Sequence, residues 1–338
     1  MRIARMTEIK KIEVTNEAFD QRPGTGEVLL KVKAVGICGT DMHIFKEGRA
    51  DVQLPRIMGH ELSGEIIEVG AGVTALKKGD RVCMDPVISC GHCALCKAGH
   101  PNICSEVKCY GVQVDGGFKD YIIVDAGKLY CFPDKYSYAE AALAEPFSVA
   151  AQILSRAALK AGEKLVVIGA GTIGLCVAQA AKGLGAQVLI SDVVDEKLEV
   201  ARQFHCDACV NSRKESLEDA VRSFAGSYVD VIIDCVGAVP LLEQSIAMAT
   251  PMTRIVCIGF DAREAHIYPV GITKQELTIV GSRMNGLKFP TVMQWMEKGI
   301  ISPAMLISAE YPVEQIQQAF EFATSDPKSI KTIIRFDD

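Results

Sequence analysis

The chain has 338 residues and a net charge of −6, with 49% hydrophobic and 23% charged residues. This is the composition of an ordinary globular protein too long for one core, and it predicts two domains. No basic cluster marks a nucleic-acid or anionic-membrane binder, no apolar run reaches the ~20 residues of a bilayer span, and MRIARMTEIKKIEV lacks the pattern of a secretory signal. The expectation is a cytoplasmic protein without disulfides.

In the first 150 residues, EVLLKVKAVG (27–36), GEIIEVG (64–70) and DRVCMD (80–85) are short apolar runs between glycine-rich breaks. They predict an antiparallel, β-rich domain. Cys38 in VGICGTDMH and His60 in IMGHELSGE each follow a strand-like run, among glycines that let a side chain project into a cleft. A catalytic zinc needs about three protein ligands and an open position. Cys38 and His60 supply two. Glu61, or Glu145 in LAEPF, would be the third, directly or through water. By themselves a cysteine and a histidine at this separation are more often a core thiol and a satisfied histidine.

The segment ISCGHCALCKAGHPNIC places cysteines at 90, 93, 96 and 104. This is the spacing of a tetrahedral four-thiolate zinc site, which has no open position and is therefore structural. The alternatives are an iron–sulfur cluster or free thiols. His92 and His100 read as exposed loop residues. Cys83, Cys131, Cys176, Cys206, Cys209, Cys235 and Cys257 are scattered and read mostly as small core hydrophobes.

Beyond residue 150 strands alternate with helices. AAQILSRAALKAG is helical, KLVVIGAGTIG is a strand entering a glycine turn, and QVLISD, DACVN, VDVIIDCVG, TRIVCIG and TIVGSR are further strands with helices between. The pattern predicts a doubly wound parallel sheet over 151–286, and a tail, 287–338, that returns to the first domain. In Gly169-Ala170-Gly171-Thr172-Ile173-Gly174 the first glycine makes the turn, the second admits a pyrophosphate, and the third lets strand and helix pack, with the helix N-terminus facing the phosphates. Asp192 ends the next strand, where its carboxylate would hold the adenosine ribose and repel a 2′-phosphate, favouring NAD over NADP. The alternative is a tight turn in a domain without cofactor. Val236, Gly237, Ile258 and Gly259 end later strands and are candidates to line the cofactor site. Ser282, Arg283 and Asn285 are candidates for its nicotinamide end. Arg283 pairs either with a substrate carboxylate or with a backbone carbonyl or cofactor phosphate. Lys197 and Arg202 either touch the adenosine edge or form a solvated face with Glu196 and Glu199. Phe45 is a pocket wall or a core residue.

Taken in order, GICGTDMH, PRIMGHELSGEIIEVG, the cysteine lobe, the Glu-Pro dipeptide and VIGAGTIG resemble the zinc-dependent medium-chain alcohol and polyol dehydrogenases over nearly the whole chain. The likeness is greatest to bacterial sugar-acid dehydrogenases of the L-galactonate/L-gulonate type, and extends to sorbitol and L-threonine dehydrogenases. The resemblance implies an α/β protein with a GroES-like catalytic domain over 1–150, its zinc lobe near 88–108, and a Rossmann domain. It implies two zinc ions, one catalytic on Cys38, His60 and an acidic third ligand, one structural on Cys90, Cys93, Cys96 and Cys104. It also implies NAD as acceptor of a hydride from a secondary alcohol that the metal acidifies, a proton relay through Thr40 and His43, and a homodimer or homotetramer. Thr40 and Asp41 are alternatively helix caps, and His43 a surface residue. Two other function classes compete. A zinc-ribbon nucleic-acid module leaves the glycine turn unexplained, and a zinc-free relative leaves Cys38, His60 and Glu145 without a purpose.

Overall fold

The computed structural model describes residues 1–337. Residues 1–145 carry strands β1 (Arg2–Glu8), β2 (Lys11–Asn16), β3 (Glu27–Gly36), β4 (Glu61–Val69), β5 (Arg81–Met84), β6 (Val87–Ile88), β7 (Lys108–Cys109), β8 (Tyr121–Asp125) and β9 (Leu129–Cys131). Their helices are α1 (Gly39–Glu47), α2 (Ala94–Lys97) and α3 (Tyr138–Ala142). There follow α4 (Ala144–Arg156), β10 (Lys164–Ile168), α5 (Thr172–Gly183), β11 (Gln187–Asp192), α6 (Asp195–Gln203), β12 (Ala208–Asn211), α7 (Leu217–Ala225), β13 (Val231–Asp234), α8 (Val239–Met248), β14 (Arg254–Cys257), α9 (Pro269–Gln275) and β15 (Thr278–Gly281). The chain ends with α10 (Phe289–Lys298), β16 (Ile307–Pro312), α11 (Ile316–Ser325) and β17 (Lys331–Arg335).

Two compact units result. One comprises Met1–Glu145, Phe289–Lys298 and Pro303–Asp338; the other comprises Pro146–Lys288 and Gly299–Ser302. The divisions differ by a few residues from those read at 150/151 and 286/287, because α4 and α10 are continuous helices that begin at the junctions.

The first unit is built on a seven-stranded sheet ordered β16-β17-β3-β4-β5-β9, with β8 also pairing β3. β3 pairs antiparallel with β4, β8 and β17, so the tail joins the sheet beside the first long strand. Its core gathers Ile44, Phe45, Met58, Leu62, Phe118, Phe320 and Phe336. Phe45 is a core residue, tilted against Phe320 with ring centroids 5.1 Å apart. Burying such rings supplies roughly 2 kcal/mol each. β1 and β2 form a hairpin of their own, with Ile3 opposite Thr15 and Met6 opposite Ile12.

The second unit is a six-stranded, wholly parallel sheet in the order β12-β11-β10-β13-β14-β15. Read along the chain this is 3-2-1-4-5-6, the doubly wound arrangement whose strand order reverses between its first and fourth strands. Val166, Ile168, Leu189, Ile232 and Ile255 are buried along it, which is why these strands read as unbroken apolar runs. Among the described residues no helix is long and apolar enough to cross a membrane.

Candidate active site

The metal-ligating candidates of the first unit come from the ends of neighbouring strands. β3 ends at Gly36, directly opposite Glu61 at the start of β4. Cys38 follows as the N-cap of α1, and His60 immediately precedes β4. One Cys38 sulfur, one His60 ring nitrogen and one Glu61 oxygen lie within 4.8 Å of one another. Gly36 makes the room: a Cβ there would sit 2.2 Å from Glu61 Oε2.

Two further residues complete the arrangement, and sequence reasoning did not find their role. Asp41, fully buried, stands at the third position of α1 and accepts from Cys38 N at 2.9 Å and Gly59 N at 3.4 Å. One carboxylate thus ties together the backbones that carry the cysteine and the histidine. Its Oδ1 also lies 3.6 Å from His60 Nδ1, a buried nitrogen with no hydrogen-bond partner. The sequence signal was an aspartate three residues after Cys38, read only as a cap. Lys331, at the start of β17, donates to both oxygens of Glu61 at 2.7 and 2.6 Å and to Ile37 O at 2.9 Å. No local signal marks Lys331, because its partner is 270 positions away.

The electrostatics favour a cation. Burial, then the Glu61 carboxylate, push the Cys38 thiol well above its ordinary range. Burial raises Asp41 and lifts the Glu145 carboxyl to about 7, with Glu61 adding to the rise and His60 and Lys331 opposing it. Four acidic groups therefore crowd one buried region around a single lysine. A sulfur, a nitrogen and an oxygen donor suit zinc, and a divalent ion would reverse the penalty on each anion. Glu145 is buried near this cluster but is not among the donors within 4.8 Å. Thr40 is half-buried on α1, whereas His43 is 55% exposed, with Nδ1 3.7 Å from Glu47.

The four cysteines of the lobe converge. Sγ–Sγ separations are 3.9 Å for Cys90–Cys96, 3.9 Å for Cys93–Cys104 and 3.6 Å for Cys104–Cys90. Zinc–sulfur bonds of about 2.3 Å require tetrahedral edges of about 3.8 Å, so the residues fit the ion. Backbone N–H groups of Cys93, Cys96 and Glu106 point at these sulfurs and favour thiolates. The His92 backbone, then the Cys93 backbone and the neighbouring Cys104 and Cys93 thiols, hold Cys90 down at about 6. His92 and His100 are exposed loop residues.

In the second unit the glycine turn joins β10 to α5 beside the reversal of strand order. A Cβ on Gly174 would lie 1.8 Å from Gly169 O, so only glycine lets the helix start against the turn. Gly171, the N-cap of α5, faces open space. The Asp192 carboxylate accepts from Ala170 N at 2.7 Å through one oxygen, and from Val193 N and Val194 N at 2.7 and 2.9 Å through the other. It is thereby fixed at the mouth of the turn. Thr172 and Ile173 are half-buried in the first turn of α5.

Across the reversal, Asp234 accepts from Val236 N and Gly237 N at 3.0 and 2.9 Å and shapes the loop after β13, where Val236 stands exposed. Gly237 packs so closely on Gly259 that a Cβ on either would lie 2.1 Å from the other's Cα. Ile258 follows β14, and Ser282, Arg283 and Asn285 follow β15. Ser282 Oγ is buried without a hydrogen-bond partner, Arg283 is exposed and Asn285 buried. Lys197 is half-buried on α6, and Arg202 pairs with Glu199, as the solvated-face reading expects.

Comparison with known proteins agrees with this architecture. Residues 24–134 match the alcohol dehydrogenase GroES-like domain, and residues 172–298 match the zinc-binding dehydrogenase family. Sorbitol dehydrogenase of Bacillus subtilis is 34% identical over 304 residues, 88% of this chain and 86% of that protein. L-galactonate-5-dehydrogenase of Escherichia coli is 32% identical over 317 residues, 93% of each chain. The crystal structure of an alcohol dehydrogenase, rspB of Escherichia coli CFT073, complexed with NADH, superposes with a TM-score of 0.94 at 34% identity over 99% of both chains. Its two matched domains, its strand order and these relatives together make this chain a member of the zinc-dependent medium-chain dehydrogenase family, an oxidoreductase.

Proposed function

We propose that the protein is an NAD-dependent zinc dehydrogenase that oxidises a secondary alcohol of a sugar acid. The observation that carries this reading is the buried Cys38–His60–Glu61 donor set. In this proposal Cys38, His60 and Glu61 hold the catalytic zinc. Glu145, buried near the donor set, is placed to accept or give a proton there. Cys90, Cys93, Cys96 and Cys104 hold the structural zinc. The glycine turn and Asp192 hold the pyrophosphate and adenosine ribose of NAD. When bound, zinc supplies Lewis-acid polarisation of the substrate hydroxyl, and NAD supplies the hydride acceptor.

The chain's own residues do the rest. Lys331 keeps the Glu61 carboxylate oriented by occupying both its oxygens. Asp41 holds Cys38 and Gly59 at fixed separation and faces His60 Nδ1, fixing which ring nitrogen is left for the metal. Thr40 leads the substrate proton from the buried cluster towards His43, whose exposed ring delivers it to solvent. Arg283 pairs with the substrate carboxylate, in keeping with the likeness to L-galactonate-5-dehydrogenase. The likeness to sorbitol dehydrogenase favours a second reading, a neutral polyol with Arg283 on the cofactor.

The test is reduction of NAD, followed by ultraviolet absorbance, with sugar acids, polyols and L-threonine, on protein of measured zinc content. Turnover of a sugar acid that chelation abolishes and Arg283→Ala weakens chiefly in KM is the expected result. Turnover of free polyols alone would overturn the sugar-acid assignment, and turnover unaffected by removing zinc would overturn the mechanism.

A further inference from the structure

We propose that His92 and Glu106, with the thiolate of Cys90 shared between two ions, form a third metal site. It lies at the exposed surface of the zinc lobe and takes an exchangeable divalent ion such as zinc or cobalt. One ring nitrogen of His92, one carboxylate oxygen of Glu106 and the Cys90 sulfur lie within 4.8 Å of one another. Of the three, the proposed function uses Cys90 alone. The site rests on the structural zinc assigned above to the four thiolates.

The fold brings these residues together. β6 and β7 pair antiparallel, with Ile88 opposite Lys108. The chain leaving β6 and the chain entering β7 therefore run side by side. Cys90, two residues past Ile88, comes beside Glu106, two residues before Lys108. Gly91 turns the chain between Cys90 and His92 at φ +74°, a conformation that favours glycine. Glu106 N donates to Cys104 Sγ at 3.4 Å, so the backbone that carries the carboxylate is tied to the four-sulfur cluster.

The histidine is set for a metal. His92 Nδ1 stands 2.8 Å from Cys90 O. A carbonyl only accepts, so the proton of the neutral ring sits on Nδ1 and Nε2 keeps its lone pair. Metal-bound histidines are oriented in this way, with the other nitrogen donating to a backbone carbonyl or a carboxylate. His92 and Glu106 are both exposed. Among the described residues no hydrogen bond or ion pair engages the Glu106 carboxylate.

Donor type and charge point the same way. An imidazole, a carboxylate and a thiolate are ligands of zinc and of cobalt. Donors around one zinc stand about 3.5 Å apart, and two exposed side chains close to that spacing by rotation. Four thiolates around one zinc carry a net double negative charge. A second cation at Cys90 offsets it, and the Glu106 carboxylate adds to the attraction. The four-thiolate shell is closed and keeps its ion, whereas the third site has two of its three protein donors in water and exchanges.

The test uses the full chain with both its zinc ions bound, and cobalt(II) as the probe. Zinc is counted before cobalt is added, and a chain whose lobe holds no zinc would overturn the lobe assignment and this site with it. Bound metal is counted again after equilibrium dialysis against cobalt. The expected result is a third ion per chain, with zinc unchanged, a thiolate-to-cobalt charge-transfer band in the near ultraviolet, and loss of the cobalt on desalting. Tryptic peptide 82–97 contains one histidine, His92. Diethyl pyrocarbonate should modify His92 in the zinc-loaded protein and do so several-fold less once cobalt is bound, a measurement that needs no variant to fold. His92→Ala and Glu106→Gln leave all four thiolates in place. Each should weaken cobalt binding by at least about tenfold, the lower end of what losing a supporting residue costs a metal site. A total that stays at two ions, whether cobalt fails to bind or only replaces zinc, would overturn the proposal. So would a third ion bound without the charge-transfer band, one that H92A/E106Q still binds, or equal modification of His92 with and without cobalt.

Discussion

Lys331 Nζ stands 2.7 and 2.6 Å from the two oxygens of Glu61, and both side chains are 1% exposed. The pair joins the last strand of the chain to the start of β4, one residue from His60. Removing the cation alone would strand a carboxylate in a site that already holds Asp41 and Glu145. We expect Lys331→Met to destabilise the first unit by about 3–5 kcal/mol. The double variant K331M/E61Q should recover most of that loss, because no uncompensated charge remains. Thermal melting of the four proteins of this cycle, with zinc removed from all of them, checks the expectation. Equal melting points for K331M and wild type would show that the pair contributes nothing.

Asp41 makes a different contribution. It accepts from Cys38 N and Gly59 N and faces His60 Nδ1. Asp41→Asn keeps the shape but removes the charge that orients the imidazole. We expect catalytic zinc to bind about 10- to 100-fold more weakly, with the four-thiolate zinc unaffected. Chelator titration with metal analysis separates the two sites. Thr40→Val is the contrasting variant: it should retain zinc and lower kcat.

How much of this was legible in the sequence follows from the range of each interaction. The parallel sheet was legible because buried strands such as KLVVI and VIID are unbroken apolar runs and the glycine turn is a local signal. The thiolate lobe was legible because one short loop supplies all four sulfurs. The β1–β2 hairpin was not read as such, since RIARMTE buries only Ile3, Ala4 and Met6 and KIEVTN only Ile12, too few apolar positions to stand out between charged ones. α3 and α9 are too short for a period to declare itself. Lys331 carries no local mark, and its pairing exists only because β17 returns to β3. Cys206 and Cys209 read, with the other scattered cysteines, as core thiols, yet Cys209 lies on β12, the sheet's edge strand, and both are partly exposed.

The zinc lobe has little else to hold it. Between residues 90 and 104 only Asn102 and Cys104 are buried, so nearly all its order rests on the four sulfurs. Cys96→Ser should reduce zinc from two ions per chain to one and open the segment between residues 88 and 108 to proteolysis. The second unit should be unaffected, and NAD should still stabilise the protein against heat. Mass analysis of limited digests locates the cut. Retention of two zinc ions with no new cleavage would remove the structural role assigned to these thiolates.

The raised Glu145 carboxyl sets a pH dependence in the zinc-free protein. Burial holds it at about 7, against an ordinary value of 4.5. The folded state therefore binds a proton more tightly than the unfolded chain. Stability from this group is full below pH 4.5 and is lost as pH rises towards 7, by ~3 kcal/mol at most. Above pH 7 the buried carboxylate is charged in both states, and the penalty is constant. Glu145→Gln abolishes the titration, so the zinc-free variant should be more stable than zinc-free wild type at pH 8 and nearly equal to it at pH 5. With zinc bound, the ion offsets the carboxylate's charge, and the advantage of the variant should shrink or disappear. Melting temperatures across this pH range, with and without chelator, test each step. A variant whose advantage is the same at both pH values would show that the Glu145 carboxyl titrates at its ordinary value.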